Sequence, residues 1–363
     1  MPLNAGEATG SPRSTERHAQ RLPEVMDDGI DMAEDKQRRI SELEQVALAV
    51  IDHHRRQTIQ SVTTGGWTAN RFATGFNGVV WRARSSRGEE VAVKLSLVDS
   101  RRRGQREFSA TRRLADEGVD AAAVPLALVE DADLTALVSS WCPGSPLASL
   151  PRADSPTWSR VVATYVAVHG CSCSGLETAV DGATISQFLD VAETRAVHAS
   201  RTAFLPVLRE LRRRLDRPYS DRCTKALTHG DTGFANWLVD GDEVRLVDWK
   251  YAGVGDPCAD IAGICTHPSH LDLDETTRTR LILEHAVALG SEELVERTLA
   301  FVLALLGIWC ARTGVANLYP RLPGAVGTPL FSENERVDHY RDRLCQALEI
   351  DRSELDRALQ ITR

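Results

Sequence analysis

The chain has 363 residues, 42% of them hydrophobic and 26% charged, enough to bury a sizeable core and more than one average domain, so two lobes are expected. A net charge of -8 argues against a nucleic-acid partner, and the arginine runs at 101–103 and 212–214 read as solvated helix faces. The eight cysteines follow no zinc-ligand spacing, which points to free thiols in a reducing cytoplasm.

Residues 1–35 are rich in charged and small polar types with few large apolar ones, the composition of a disordered tail, and show no secretory signal. From Asp35 the pattern changes. Ile40, Leu43, Val46, Ala47, Val50 and Ile51 recur at helical spacing, giving an amphipathic helix to about Arg56, suited to dock on a neighbouring lobe or on a second subunit. Two strand runs between Arg71 and Arg84 flank a short loop, Thr74-Gly75-Phe76-Asn77-Gly78, a pattern common to many hairpins. Glu90-Val91-Ala92-Val93-Lys94-Leu95 is a short β-branched strand carrying a lysine, and a helix-compatible stretch over 102–117 follows with Glu107 inside it. A strand over 134–140 is broken by Trp141-Cys142-Pro143-Gly144, and helices are expected over 157–169, 185–200 and 204–214.

The chemistry concentrates next. His229-Gly230-Asp231 is followed by Asn236 and then by Asp248-Trp249. An aspartate and an asparagine on one loop, with a second aspartate from the next strand, are the groups phosphoryl transfer requires: one orients a hydroxyl and two hold magnesium. The runs 237–239 and 244–247 read as strands around Asp240-Gly241-Asp242-Glu243, a tight-turn signal. If Asp240 pairs with Val244, Asn236 falls opposite Asp248, a hard-oxygen environment of the kind Mg²⁺ prefers.

Asp256 reads as a helix N-cap with Pro257 at the first helical position, so it and Asp260 are taken as structural. Further helices are expected over 275–289, capped by Asp274, and over 291–310, 332–348 and 353–359. The longest apolar run, 299–309, falls short of the ~20 residues a membrane span needs and reads as a buried helix. His169, closing its helix, reads as a structural hydrogen-bonding group. His267 and His270, around Pro268, read as incidental loop histidines and not as a metal pair.

Residues 227–263 closely resemble the catalytic segment of the aminoglycoside phosphotransferase and choline kinase superfamily, small-molecule kinases with the protein-kinase-like fold. His-Gly-Asp stands where protein kinases have His-Arg-Asp, and the second aspartate lies in an Asp-Trp context. The resemblance implies an α+β bilobal fold, with a small antiparallel β lobe carrying one helix and a larger, mainly helical lobe. It divides the chain into a tail (1–35), a helix and connection (36–64), a small nucleotide-binding lobe (65–141) and a large catalytic and acceptor-binding lobe (142–363). Asp231 becomes the catalytic base or hydroxyl-orienting group, and Asn236 and Asp248 the metal ligands. Lys94 grips the α- and β-phosphates and is paired with Glu107, while Thr74, Gly75, Asn77 and Gly78 line the phosphate loop through backbone N–H groups. The segment at Trp141 resembles the hinge that meets adenine, with Ser140 where the family often has an acidic residue.

ATP, Mg²⁺ and a small hydroxyl acceptor are thus the expected cofactors and partner, in a cytoplasmic enzyme with no membrane or nucleic-acid partner. Asp-Trp-Lys-Tyr-Ala-Gly resembles choline-kinase-like members, whereas Gly-Asp-Pro is equally at home among antibiotic resistance enzymes; Lys250 replaces the usual acidic residue. A polycationic aminoglycoside would need an acidic pocket, for which Asp272, Asp274 and Glu275 are candidates. The alternative of a different class is a nucleotide-binding regulatory or interaction module that transfers no phosphate.

Overall fold

The computed structural model describes residues 28–56, 60–74, 78–149, 155–179, 185–198, 202–215, 225–312 and 333–359. The chain forms two units, up to Arg39 and from Ile40 onward. Helix α1 (Asp28–Arg56) starts earlier than the apolar periodicity at Asp35 requires, because Met32, Ala33, Glu34 and Lys36 are good helix formers on their own. The part of the expected tail that precedes Asp28 lies outside the described residues. Within the second unit, Leu43, Val46, Ala47, Val50 and Ile51 of α1 are buried.

Those side chains share a core with a six-stranded antiparallel sheet in the order β1 (Ser61–Thr64), β2 (Trp67–Thr74), β3 (Gly78–Ser85), β4 (Glu90–Leu97), β6 (Leu134–Ser140) and β5 (Pro125–Asp131). Strand alternation decides which face each residue takes. In β4, Val91, Val93 and Leu95 are buried in the core that includes α1, so Lys94 projects from the opposite face. Helix α2 (Arg103–Asp116) follows β4, and Gly104 lets it close on β6: a Cβ there would lie 2.3 Å from Thr135 Cγ2.

Beyond β7 (Ser145–Pro146) the chain is mainly helical: α3 (Ser155–His169), α4 (Ile185–His198), α5 (Leu205–Leu215), α6 (Pro257–Thr266), α7 (Glu275–Ala288), α8 (Glu293–Arg312), α9 (Glu333–Leu348) and α10 (Arg352–Leu359). Helix α8 is long and apolar enough to cross a membrane by composition, yet Phe301, Ala304, Leu306 and Cys310 are buried among its neighbours, as expected of a core helix. Asp256 caps α6 by accepting from the Cys258 N–H (3.0 Å), and Asp274 caps α7 through the Thr277 N–H (2.7 Å), both as their positions imply. The described cysteines are all free thiols.

Two small ladders carry the motif residues: β8 (Ala226–Thr228) with β11 (Gly253–Gly255), and the hairpin of β9 (Trp237–Asp240) and β10 (Glu243–Leu246). The hairpin register differs by one residue from the expected one. Asp240 pairs with Glu243 and Trp237 with Leu246, so it is Val247 whose N–H meets the Asn236 carbonyl (2.9 Å). A two-residue turn, with Gly241 at φ 57, closes the hairpin more tightly than an Asp240–Val244 pairing would. A slip of one reverses which face a strand residue takes. Asp248 therefore reaches the site by leaving the ladder, with φ 68, a left-handed conformation that strains a non-glycine residue and clusters at functional sites.

Candidate active site

The loop after β8 is held from beneath. Asp260 of α6, 1% exposed, accepts from the backbone N–H groups of His229 (2.9 Å) and Gly230 (3.0 Å). His169 Nε2 donates to the same carboxylate (3.2 Å), and His169 Nδ1 accepts from His285 Nε2 (3.2 Å). Burial alone would raise the Asp260 pKa, but the hydrogen bonds it accepts from His169 and from the Gly230 backbone N–H outweigh it and hold the carboxyl below its ordinary value. Asp260 and His169 are thus structural, as expected, and His285 extends the chain in a way the sequence did not suggest.

Gly230 has φ 75, and a Cβ there would lie 3.1 Å from the Tyr251 carbonyl oxygen, so this position of His-Gly-Asp admits glycine for both conformation and space. His229 is fully buried. Its Nε2 donates to the Val247 carbonyl (3.0 Å) and its Nδ1 accepts from the Asp231 N–H (3.2 Å). One ring therefore ties the Asp231 loop to the backbone just before Asp248. Asn236, at the end of a single turn, donates its amide N–H to the Asp231 carbonyl (3.1 Å), which leaves its amide oxygen for another partner.

Lys94 Nζ donates to Glu107 Oε2 (2.5 Å) and also to Asp248 Oδ1. The other oxygen of Asp248 accepts from Lys250 Nζ, which in turn donates to Asp231 Oδ2 at 3.0 Å. Glu107, Lys94, Asp248, Lys250 and Asp231 thus form one chain of alternating charge between the sheet lobe and the helical lobe. Burial would lower the Lys94 and Lys250 pKa values and raise that of Asp248. Mutual attraction wins in each case: both lysines are held above their ordinary value, and Asp248 below its own.

The remaining candidates divide. Gly78, paired with Ser96 in the ladder, is required by close approach to β4, since a Cβ would lie 2.5 Å from the Leu95 carbonyl oxygen. Thr74 ends β2 opposite Val79; Gly75 and Asn77 lie outside the described residues. Among the described residues no three His, Cys, Asp or Glu side chains cluster as a metal site. His270 is not incidental. Its Nδ1 donates to the Ile264 carbonyl (2.8 Å) and its Nε2 accepts from the Phe234 N–H (2.9 Å), fixing the turn that carries Asn236. Lys250, which joins Asp231 to Asp248, is a member of this charge chain to which the sequence assigned no role. Its one signal was the unusual placement of a lysine directly after Asp-Trp.

The sequence profile of the phosphotransferase enzyme family, APH, matches residues 68–302. Among curated proteins, none matches the chain. Among solved structures, a choline/ethanolamine kinase family protein from Mesorhizobium loti is similar in fold, with a TM-score of 0.55 at 18% identity over 81% of this chain and 92% of that one. The choline kinase of Cryptosporidium parvum Iowa II aligns with a TM-score of 0.55 at 12% identity, over 83% of this chain and 95% of that one. The aminoglycoside phosphotransferase APH(4)-Ia, solved with AMP-PNP and hygromycin B, aligns with a TM-score of 0.52 at 15% identity, over 86% of this chain and 98% of that one.

Proposed function

The chain belongs to the phosphotransferase enzyme family, a group of small-molecule kinases, and from that premise we propose that it transfers the γ-phosphoryl group of ATP to a hydroxyl of a small molecule, with Mg²⁺ as cofactor. The observation that carries this reading is the convergence of Lys94, Asp248 and Asp231 in one hydrogen-bonded chain between the lobes. Fold likeness to a phosphotransferase solved with AMP-PNP supports ATP as donor.

The residues fit a magnesium ion in the form in which kinases bind it. Mg²⁺ keeps several waters and takes one or two protein oxygens together with substrate phosphates, so Asn236 and Asp248 suffice without a three-residue cluster. The amide oxygen that Asn236 leaves available and the ionised state of Asp248 are the chemical features this requires. Bound there, the ion would neutralise charge on the phosphate oxygens. Lys94, oriented by Glu107, would hold the α- and β-phosphates. Asp231 would accept the hydrogen bond of the acceptor hydroxyl and align its oxygen with the γ-phosphorus. As the new O–P bond forms, the bond to the β–γ bridging oxygen breaks, ADP departs, and the hydroxyl proton passes to the Asp231 carboxylate. With a loose transition state, positioning and charge neutralisation supply most of the rate.

Of the acidic residues considered for a polycationic acceptor, Asp274 is engaged as the α7 cap and Glu275 is paired with Arg278 (2.6 Å). With two of the three candidates so engaged and Asp272 alone remaining, amino alcohols of the choline kind stand beside antibiotics as acceptors. The test is a Mg²⁺-dependent ATP-turnover screen over amino alcohols, aminoglycosides and other hydroxyl compounds, read by mass spectrometry of the acceptor. A phosphorylated acceptor is expected. Tight nucleotide binding with no phosphorylated product from any hydroxyl compound would instead establish the binding-module alternative.

A further inference from the structure

Lys250 is 6% exposed, and its ammonium lies between the two carboxylates that the phosphotransferase reading needs for metal and acceptor. It is 3.0 Å from Asp231 Oδ2, in contact with Asp248 Oδ2, and 5.0 Å from the centroid of the Tyr251 ring. Such a group is costly to bury alone and stays where its partners are. One oxygen of Asp248 faces Lys94, which the phosphotransferase reading turns to the phosphates, and the other faces Lys250, which Asp231 also holds. Kinases of the protein-kinase type place two Mg²⁺ ions on the corresponding aspartate and asparagine. A divalent ion and an ammonium cannot both occupy the same carboxylate oxygen, so Lys250 keeps Oδ2 and Oδ1 is left to a single ion once Lys94 engages the phosphates.

We propose that the Lys250 ammonium is a built-in cation of this active site, taking the position between Asp231 and Asp248 so that nucleotide binds with one divalent ion and not two. The inference rests on the phosphotransferase reading above. The lysine thereby acts as a positioning residue, holding the Asp231 and Asp248 carboxylates at a set separation in the absence of nucleotide. An acidic residue at this position would reverse the local charge and open the site to a second ion.

The experiment counts bound metal directly. The full chain is titrated with Mn²⁺ in the presence of saturating AMP-PNP, and free Mn²⁺ is followed by electron paramagnetic resonance. The wild-type complex is expected to hold one Mn²⁺ per chain, Lys250→Arg to remain at one, and Lys250→Glu to hold two. Two Mn²⁺ per wild-type chain would overturn the proposal while leaving the phosphotransferase reading intact, and that count needs no variant to fold. A count of one in a folded Lys250→Glu, verified by circular dichroism, would also overturn it. Failure of the wild-type chain to bind Mn²⁺ and AMP-PNP at all would remove the phosphotransferase reading and the proposal together.

Discussion

Asp231 meets its neighbours through three different atoms, and each has a different consequence. Its N–H is held by His229, its carbonyl accepts from Asn236, and its carboxylate is paired with Lys250. The backbone atoms fix the loop, and the side chain alone is left to meet an acceptor. Replacing Asp231 by Asn keeps the volume and both backbone bonds while removing the charge. Turnover is expected to fall by about 10²–10⁴-fold, the usual contribution of a positioned acid or base. The dissociation constant for AMP-PNP should stay within about threefold of wild type, because the proposed role of the group is toward the acceptor and not the nucleotide. Steady-state kinetics and calorimetric titration of the nucleotide measure the two quantities. A parallel loss of nucleotide affinity would place Asp231 elsewhere in the site.

At the scale of elements, the loop between β8 and β9 is held by α6 through Asp260, and α6 is held in turn by a buried histidine pair from α3 and α7. Burial and the neighbouring His169 depress the His285 pKa from 6.5 to about 3. Below pH 6.5 the unfolded chain therefore takes up a proton at this residue that the folded chain refuses until about pH 3. Stability is complete above 6.5 and is lost as pH falls through that window. His270 and His339 are depressed in the same direction, so a difference between variants isolates His285. In His285→Gln, where an amide N–H can replace the donor to His169, the loss of unfolding free energy between pH 7 and pH 5 should be smaller than in wild type by about 2 kcal/mol. Urea unfolding at the two pH values provides the comparison, and equal losses would contradict the assignment of a neutral, buried His285.

Across the whole molecule, the sheet that presents Lys94 on one face depends on α1 packing with the other. Leu43 of α1 is 1% exposed and Leu48 is 46% exposed. Truncating Leu43 to Ala removes apolar contact and leaves a cavity, which should destabilise the protein by about 2–4 kcal/mol. Leu48→Ala on the solvent side should change stability by no more than about 0.5 kcal/mol. Paired denaturant midpoints test this contrast. Equal effects would mean that α1 does not contribute to the core of the sheet lobe. The order β4, α2, β6 brings Lys94 and Glu107 to 2.5 Å across thirteen residues of chain, and α6 brings Asp260 under a loop thirty residues earlier. Distances of this kind belong to the fold and to no single segment.

Whatever is governed by neighbours within a few residues was legible in the sequence. The apolar spacing of α1, the caps at Asp256 and Asp274, the turn at Gly241 and the glycine of His229-Gly230-Asp231 each follow from a local steric or hydrogen-bonding rule. The order of the Lys94 strand, the Glu107 helix and the Asp231 loop was legible through resemblance, and residues 68–302 match the family accordingly. Only the tertiary structure decided the hairpin register, because a one-residue change of turn alters every pairing and local propensity hardly distinguishes the two. With it came the left-handed turn at Asp248 and the place of Lys250. A lysine two residues after an aspartate has no evident partner in the linear chain. Burial between two carboxylates, one from the preceding loop and one beside it, makes it a fixed charge of the site, and that convergence exists only once β8, the β9–β10 hairpin and α6 have packed together.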